Sequence, residues 1–118
     1  MVEIFREFDD ALLKKLGAHG MDMAYVARAN GVVLGYCVYR LRGDAVELVS
    51  LWANGDAALA DGIARAALAS CKEVSVYAVC VGDGDELKNF CRCISLPSEG
   101  QLEIDSILRS CAGAPSGM

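Results

Sequence analysis

A tight turn between two β-rich runs constrains the fold of this chain more than any other feature. Asn30 and Gly31 separate the run 23–29 from the run 32–40. Asn-Gly suits a two-residue hairpin because both turn positions need a positive φ angle. A second turn then precedes a third β-rich run, 45–53. The sequence therefore predicts a three-stranded antiparallel meander.

Further elements are predicted on both sides of the meander. A short strand over 2–5 and a helix capped at Asp9 or the next residue come before it. After it, Asp56 is placed to cap an alanine-rich helix with a wide apolar stripe over 57–71. The run 74–81 then predicts a buried strand. A strand, a helix and a strand in this order are typical of a parallel crossover with the helix lying on the sheet.

The C-terminal third is less regular. Residues 85–94 predict a second, shorter amphipathic helix. Residues 101–111 alternate in a way that suits a strand from Leu102 to Arg109, but a helix is equally compatible with their composition. We expect one domain over 1–111, which is the size that 118 residues support, followed by a frayed tail over 112–118.

Composition excludes several classes of protein. A hydrophobic fraction of 54% with only two prolines is unlike a disordered chain. No apolar run approaches the roughly 18 residues of a membrane span, and the N-terminal residues lack the pattern of a signal peptide. A net charge of −5 with scattered Lys and Arg argues against a nucleic acid partner. We therefore expect a soluble, cytoplasmic protein that binds neither membrane nor nucleic acid.

The six cysteines are expected to be reduced. Most lie in apolar or helical runs, where a free thiol packs as a small hydrophobic group. Cys91 and Cys93 form the only close pair, and His19 is the only histidine, so the pattern does not indicate a metal site. A redox or metal sensor built on Cys91 and Cys93 remains an alternative to packing.

The predicted order of elements resembles that of the GNAT superfamily of N-acetyltransferases. The resemblance covers residue 2 to about residue 96. The stretch 2–12 is similar to the first strand and helix of the family, and 30–36 to its hairpin ending in a "vGy" step. Residues 51–53 and 59–64 fall at its fourth strand and phosphate-binding loop. The fold class implied is α+β, a mixed, mostly antiparallel sheet of about six strands flanked by about three helices.

The resemblance implies a coenzyme site. The family loop, Gln/Arg-x-x-Gly-x-Gly/Ala, binds the pyrophosphate of acetyl-CoA through backbone N–H groups at a helix N-terminus. Here Gly62 and Ala64 match it, whereas Leu59 replaces the basic or amide residue and Asp61 adds negative charge. The expected coenzyme contacts are therefore these residues (Trp52, Ala53, Gly62, Ile63 and Ala64). The alternative is that Gly62 and Ala64 only let the helix pack closely on the sheet.

The resemblance also implies two catalytic candidates. Glu47 lies where the family often places a carboxylate base, and strand alternation puts it on one face with Val49 and Leu51. Cys91 aligns with the tyrosine that protonates the departing thiolate, and Ser95 with a family glycine. The structural alternatives are an exposed strand glutamate and a buried packing cysteine.

The expected function is acetyl-CoA-dependent N-acetyl transfer to a small-molecule or protein amine, by direct attack of the amine. Only about twenty residues follow Leu96, whereas the family closes with two further strands. Two alternatives follow: either the acceptor site is open, or a second subunit completes it by pairing along the last strand, as a homodimer. The alternative is a non-catalytic GNAT-like module that acts through dimerisation or partner binding.

Overall fold

A computed structural model describes residues 1–97 and 99–110. One six-stranded sheet runs in chain order from β1 to β6, and four helices accompany it. The strands are β1 (Glu3–Arg6), β2 (Met23–Ala29), β3 (Val32–Arg42), β4 (Ala45–Trp52), β5 (Tyr77–Cys80) and β6 (Gln101–Glu103). The helices are α1 (Asp10–Lys15), α2 (Ala57–Cys71), α3 (Asp85–Cys93) and α4 (Ile104–Arg109). The predicted α+β class is confirmed, with one helix more than expected.

The predicted meander and the turn that starts it are both present. Asn30 and Gly31 have φ angles of 54° and 78°, as a two-residue hairpin turn requires. Strands β1 to β4 pair antiparallel, and β4 pairs with β5 in parallel. Helix α2 forms the crossover connection between β4 and β5. Its Asp56 cap is also confirmed, since the side chain accepts from the Leu59 N–H.

A β-bulge interrupts β4 at Val49. Val38 of β3 pairs with Ser50, and the next residue, Tyr39, pairs with Leu48, so Val49 has no partner on β3. An extra residue in one strand bends it and increases its local twist. The bulge therefore redirects the second half of β4.

The bulge also reverses the alternation of side chains along β4. Leu48 and Leu51 both lie in the main core under α2, whereas Val49 packs with the smaller cluster under α1. The prediction that Glu47, Val49 and Leu51 share a face was wrong at Leu51. Simple alternation fails here because the extra residue shifts its phase by one position.

Strands β4 and β5 separate immediately after the bulge. Their parallel pairing ends at Leu48 and Cys80, and the N–H groups of Val81 and Gly82 both donate to the Leu48 carbonyl. Beyond this point β4 continues to Trp52 without β5 beside it. The sheet is therefore open on one side of the carboxyl end of β4.

Helix α2 covers the sheet on the face opposite α1. Its residues Ile63, Ala64, Ala67 and Leu68 are fully buried in the main core. Full burial of side chains such as Ile63 and Leu68 stabilises a fold by about 1.5–3 kcal/mol each. A Cβ on Gly35 of β3 would lie 2.9 Å from Ile63 Cδ1, so the glycine permits this close approach.

The C-terminal segment contains both of the alternatives that its composition left open, a short strand followed by a helix. Strand β6 pairs antiparallel with β5 but ends at Glu103, and the chain continues as α4 instead of extending to Arg109. The helix forms because Ile104 and Ile107 are both buried, at a spacing that places them on one helical face. Arg65 of α2 donates to the Ile107 carbonyl at 2.5 Å and fixes the end of α4. The tail predicted over 112–118 lies outside the described residues.

None of the helices within residues 1–97 and 99–110 has the length and apolarity needed to cross a membrane.

We expect Gly82→Ala to destabilise the protein by about 2 kcal/mol or more. A Cβ at this position would overlap the Val49 carbonyl, which is backbone and cannot move aside easily. Gly84→Ala is the matched control, because nothing lies within 4 Å of the added carbon. Urea unfolding would measure both variants, with a change of about 0.5 kcal/mol or less in the control. Equal stability of the two variants would contradict the close packing of Gly82 on the bulge.

Candidate functional site

A cleft of about 260 Å³ lies beyond the end of β4, between the first turns of α2 and one face of α3. The α2 side includes Ala57, Ala58 and Asp61. The α3 side includes Glu86, Asn89 and Cys93. The cleft is mostly apolar, and none of its described lining residues is Lys or Arg.

Two residues at the start of α2 line the cleft and, within the described part of the chain, have free backbone N–H groups. The Asp56 side chain accepts from the Leu59 N–H at 3.0 Å, and the Asp56 carbonyl accepts from the Ala60 N–H at 2.9 Å. The N–H groups of Ala57 and Ala58 have no hydrogen-bond partner among the residues that the structure describes. A helix N-terminus carries partial positive charge, so these two donors suit an anionic or carbonyl oxygen.

A third donor, at the end of β4, is already engaged. The Ala53 N–H donates to Oε2 of Glu86 at 3.0 Å, a contact that links the residue after β4 to α3. Ala53 is only 2% exposed, so its N–H depends on a protein or ligand acceptor rather than on bulk water. Glu86 supplies that acceptor in this structure.

Two solved structures are similar to this chain in fold. No family model matches the sequence, and neither does any curated protein. A GNAT family acetyltransferase from Elizabethkingia anophelis, crystallised with acetyl-CoA bound, is similar in structure: TM-score 0.57, 10% identity, 78% of this chain and 72% of the other covered. A GNAT family acetyltransferase from Streptococcus pneumoniae TIGR4 is similar with a TM-score of 0.58 and 14% identity, covering 82% and 88% of the two chains. This chain has the GNAT fold.

The GNAT resemblance predicted from the sequence is thus confirmed for the fold. The separation of β4 from β5, the capped helix α2 after β4 and helix α3 after β5 make up the part of the fold that forms the cleft. Identities of 10% and 14% do not carry residue roles from one chain to the other. The roles of individual residues therefore have to be judged from their positions here.

The five predicted coenzyme contacts do not lie together in the structure. Ala53 is not among the cleft-lining residues, but its N–H donates to Glu86, which is one of them. Trp52 points to the opposite face of the sheet, where its ring packs against Tyr36 with centroids 5.8 Å apart. Gly62 lies in the second turn of α2, and Ile63 and Ala64 are buried in the core.

The loop match was therefore placed too far along the chain relative to the helix start. The free N–H groups belong to Ala57 and Ala58, because α2 begins after the Asn54-Gly55-Asp56 turn. Gly55 has a φ of 85°, which favours glycine at this reversal. Ala64 in the second turn is buried in the core, and a Cβ at Gly62 would lie 3.9 Å from Ile4 Cδ1 of β1, which is ordinary contact.

Glu47 lies away from the cleft. Its carboxylate accepts from Arg40 Nε at 2.7 Å and lies 3.3 Å from Arg42 Nε, so both oxygens are engaged. Ala53 lies six positions further along the chain, or roughly 20 Å at the rise of an extended strand. The structure therefore does not bring Glu47 together with the predicted coenzyme contacts, and a base role would require one ion pair to open.

Cys91 is buried, and Cys93 faces the cleft instead. Burial, followed by the neighbouring Cys80 thiol, raises the pKa of Cys91 to about 12. Cys93 is exposed and lies at the cleft with Glu86 and Asn89, at spacings of three and four residues along α3. This helical periodicity is the sequence signal that could have identified the three side chains together.

The cleft fits one part of acetyl-CoA better than another. Apolar walls and free N–H groups suit the neutral pantetheine arm and the thioester carbonyl. The carboxylates are less suitable for a pyrophosphate. Asp61 is neutralised by Arg65 at 2.8 Å, but the described lining offers no cation for Glu86.

Neither a disulfide nor a metal cluster is seen in the described part of the chain. Its five cysteines are free thiols, and Cys111 lies outside it. No group of three or more His, Cys, Asp or Glu side chains within residues 1–97 and 99–110 is arranged to hold a metal ion.

We expect Cys93 to react with a thiol reagent much faster than Cys91 at pH 8. A pKa near 12 leaves the Cys91 thiolate scarce until the pH approaches that value, and burial also blocks access. Ellman's reagent with peptide mapping would assign each modified thiol, including Cys111. Cys93→Ser should remove its fast phase and Cys91→Ala should not. Equal rates at Cys91 and Cys93 would show that α3 does not bury the former.

Proposed function

We propose that this chain binds acetyl-CoA in the cleft between α2 and α3 and transfers its acetyl group to a small-molecule or protein amine. One observation carries the proposal: β4 separates from β5 after Leu48, beside a cleft lined by Ala57 and Ala58, whose N–H groups have no hydrogen-bond partner among the described residues. The GNAT fold supports it, as does the acetyl-CoA bound to the Elizabethkingia protein of that fold. The cytoplasmic location stays a prediction.

Different backbone groups would contact different parts of acetyl-CoA. The N–H groups of Ala57 and Ala58 would donate to phosphate oxygens, and the Ala53 N–H would donate to the thioester carbonyl. Gly62, Ile63 and Ala64 would hold the helix close to the sheet, so that its N-terminus is correctly placed. Acetyl-CoA, when bound, supplies the acetyl thioester for direct attack by the amine, with no covalent enzyme intermediate.

Proton transfer falls to groups on two sides of the sheet. Glu47 stays a predicted base, but at roughly 20 Å along the strand from Ala53 it would act only through a chain of waters, after its contact with Arg42 opens. For the proton that the departing sulfur needs, Cys93 is better placed than Cys91, because Cys93 lies at the cleft and Cys91 lies in the core.

A row of apolar side chains on the sheet face away from α2 suits the acceptor. Phe5, Val26, Tyr36 and Trp52 are direct cross-strand partners on four successive strands. Phe5 is 63% exposed and Trp52 39% exposed, so both rings are accessible. Exposed aromatic faces attract ammonium groups, which favours a cationic amine as the acceptor.

Calorimetric titration with acetyl-CoA, with free coenzyme A alongside, tests the proposed site. We expect a dissociation constant of about 1–100 μM for the wild type. Ala58→Glu should weaken binding at least about tenfold, because it adds a carboxylate where a phosphate would lie. Ala69→Glu is the matched control, since Ala69 is an exposed position on the same helix outside the cleft lining and should bind as the wild type does.

Absence of wild-type binding up to about 1 mM acetyl-CoA would contradict the enzyme proposal. Equal loss in Ala58→Glu and Ala69→Glu would place the ligand elsewhere. If the wild type binds, release of coenzyme A in the presence of a panel of cationic and neutral amines would identify the acceptor.

A non-catalytic GNAT-like module is the second candidate. The Ala53 donor is occupied by Glu86, and the Glu47 carboxylate is held by two arginines. Such a module would act through dimerisation along the short edge strand β6. Sedimentation analysis would then show a dimer, and a monomer at all concentrations would contradict dimerisation.

A further inference from the structure

We infer that Glu86 determines which ligands the cleft accepts, because its carboxylate occupies the donor that an acyl carbonyl would use. The inference rests on the proposed acetyl-CoA site and adds a residue that the GNAT resemblance did not indicate. Glu86 would act as an internal competitor, so that an acyl donor binds only as the carboxylate leaves the Ala53 N–H.

The geometry around Ala53 makes this competition direct. The Ala53 N–H lies at the end of β4, past the point where β5 stops pairing, so no neighbouring strand accepts from it. Glu86 Oε2 lies 3.0 Å from the nitrogen and reaches it from the second residue of α3. One buried N–H makes one strong hydrogen bond. A ligand carbonyl and the Glu86 carboxylate therefore exclude each other at this position.

The charge of Glu86 adds a second effect. Asp61, the other carboxylate at the cleft, is paired with Arg65, whereas Glu86 has no cation within 4 Å among the described residues. A carboxylate without a paired cation near the start of α2 cancels part of the positive potential at the helix N-terminus. It therefore weakens the binding of a polyanionic ligand. Glu86 should therefore penalise acetyl-CoA more than a neutral acyl-pantetheine.

Three variants separate the two effects. Glu86→Ala removes both the charge and the competing acceptor, and Glu86→Gln removes the charge but keeps an acceptor for Ala53. Asp85→Ala is the matched control, because Asp85 is an exposed acid one residue earlier on the same helix and does not line the cleft. Each would be titrated with acetyl-CoA, free coenzyme A and S-acetyl-pantetheine, after thermal unfolding has shown that it folds.

We expect Glu86→Ala to bind acetyl-CoA at least about tenfold more tightly than the wild type, with a smaller gain for free coenzyme A, which has no acyl carbonyl. S-acetyl-pantetheine should gain in Glu86→Ala but little in Glu86→Gln. Asp85→Ala should stay within about twofold of the wild type for every ligand.

The inference fails if wild-type protein binds acetyl-CoA and Glu86→Ala binds it no more tightly than Asp85→Ala. An equal gain for acetyl-CoA and free coenzyme A would overturn competition at Ala53. Binding by Glu86→Ala alone would support the inference while contradicting activity of the wild type. Absence of binding in all four proteins would instead remove the proposed function itself.

Discussion

The β-bulge at Val49 is the local distortion on which the rest of the site depends. The parallel pairing of β4 with β5 ends at Leu48, the residue before the bulge, and β4 continues to Trp52 without β5 beside it. Gly82 packs against the bulge carbonyl and holds the β5 end of the opening in place. The cleft exists because two strands that begin as neighbours do not remain so. Helices α2 and α3 then supply its walls.

Hydrogen-bond donors and carboxylates meet in this opening, and their balance decides what it can bind. Ala53, Ala57 and Ala58 offer N–H groups, and no cation from the described lining accompanies them. The N–H groups suit carbonyl and phosphate oxygens alike, whereas the Glu86 carboxylate, unpaired among the described residues, disfavours a pyrophosphate. Glu86 satisfies the buried Ala53 N–H, which would otherwise lack an acceptor in the described part of the chain. The same arrangement is compatible with a weakly binding acetyltransferase and with a non-catalytic module. A measurement of ligand affinity, rather than the fold, therefore distinguishes the two functions.

The elements that local chemistry determines could be predicted from the sequence. The Asn30-Gly31 hairpin requires positive φ angles that few dipeptides tolerate, and the Asp56 cap and the alanine-rich stripe fix α2. The bulge could not be predicted, because it depends on the pairing of β4 with β3. The same holds for α4, whose helical form relies on burial against α2 and on Arg65. The helical spacing of Glu86 and Cys93 indicates that they share one face of α3. The family tyrosine aligns with Cys91, however, so the resemblance predicted Cys91 rather than Cys93.

The most direct test of the account is a two-dimensional ¹H–¹⁵N NMR titration of isotope-labelled protein with acetyl-CoA. The largest chemical shift changes should fall on the amides of Ala53, Ala57 and Ala58, with smaller changes along the cleft face of α3. The Ala53 amide should respond more to acetyl-CoA than to free coenzyme A. Shifts confined to other surfaces, or none at saturating ligand, would contradict the claim that the opening after the bulge is an acyl-CoA site.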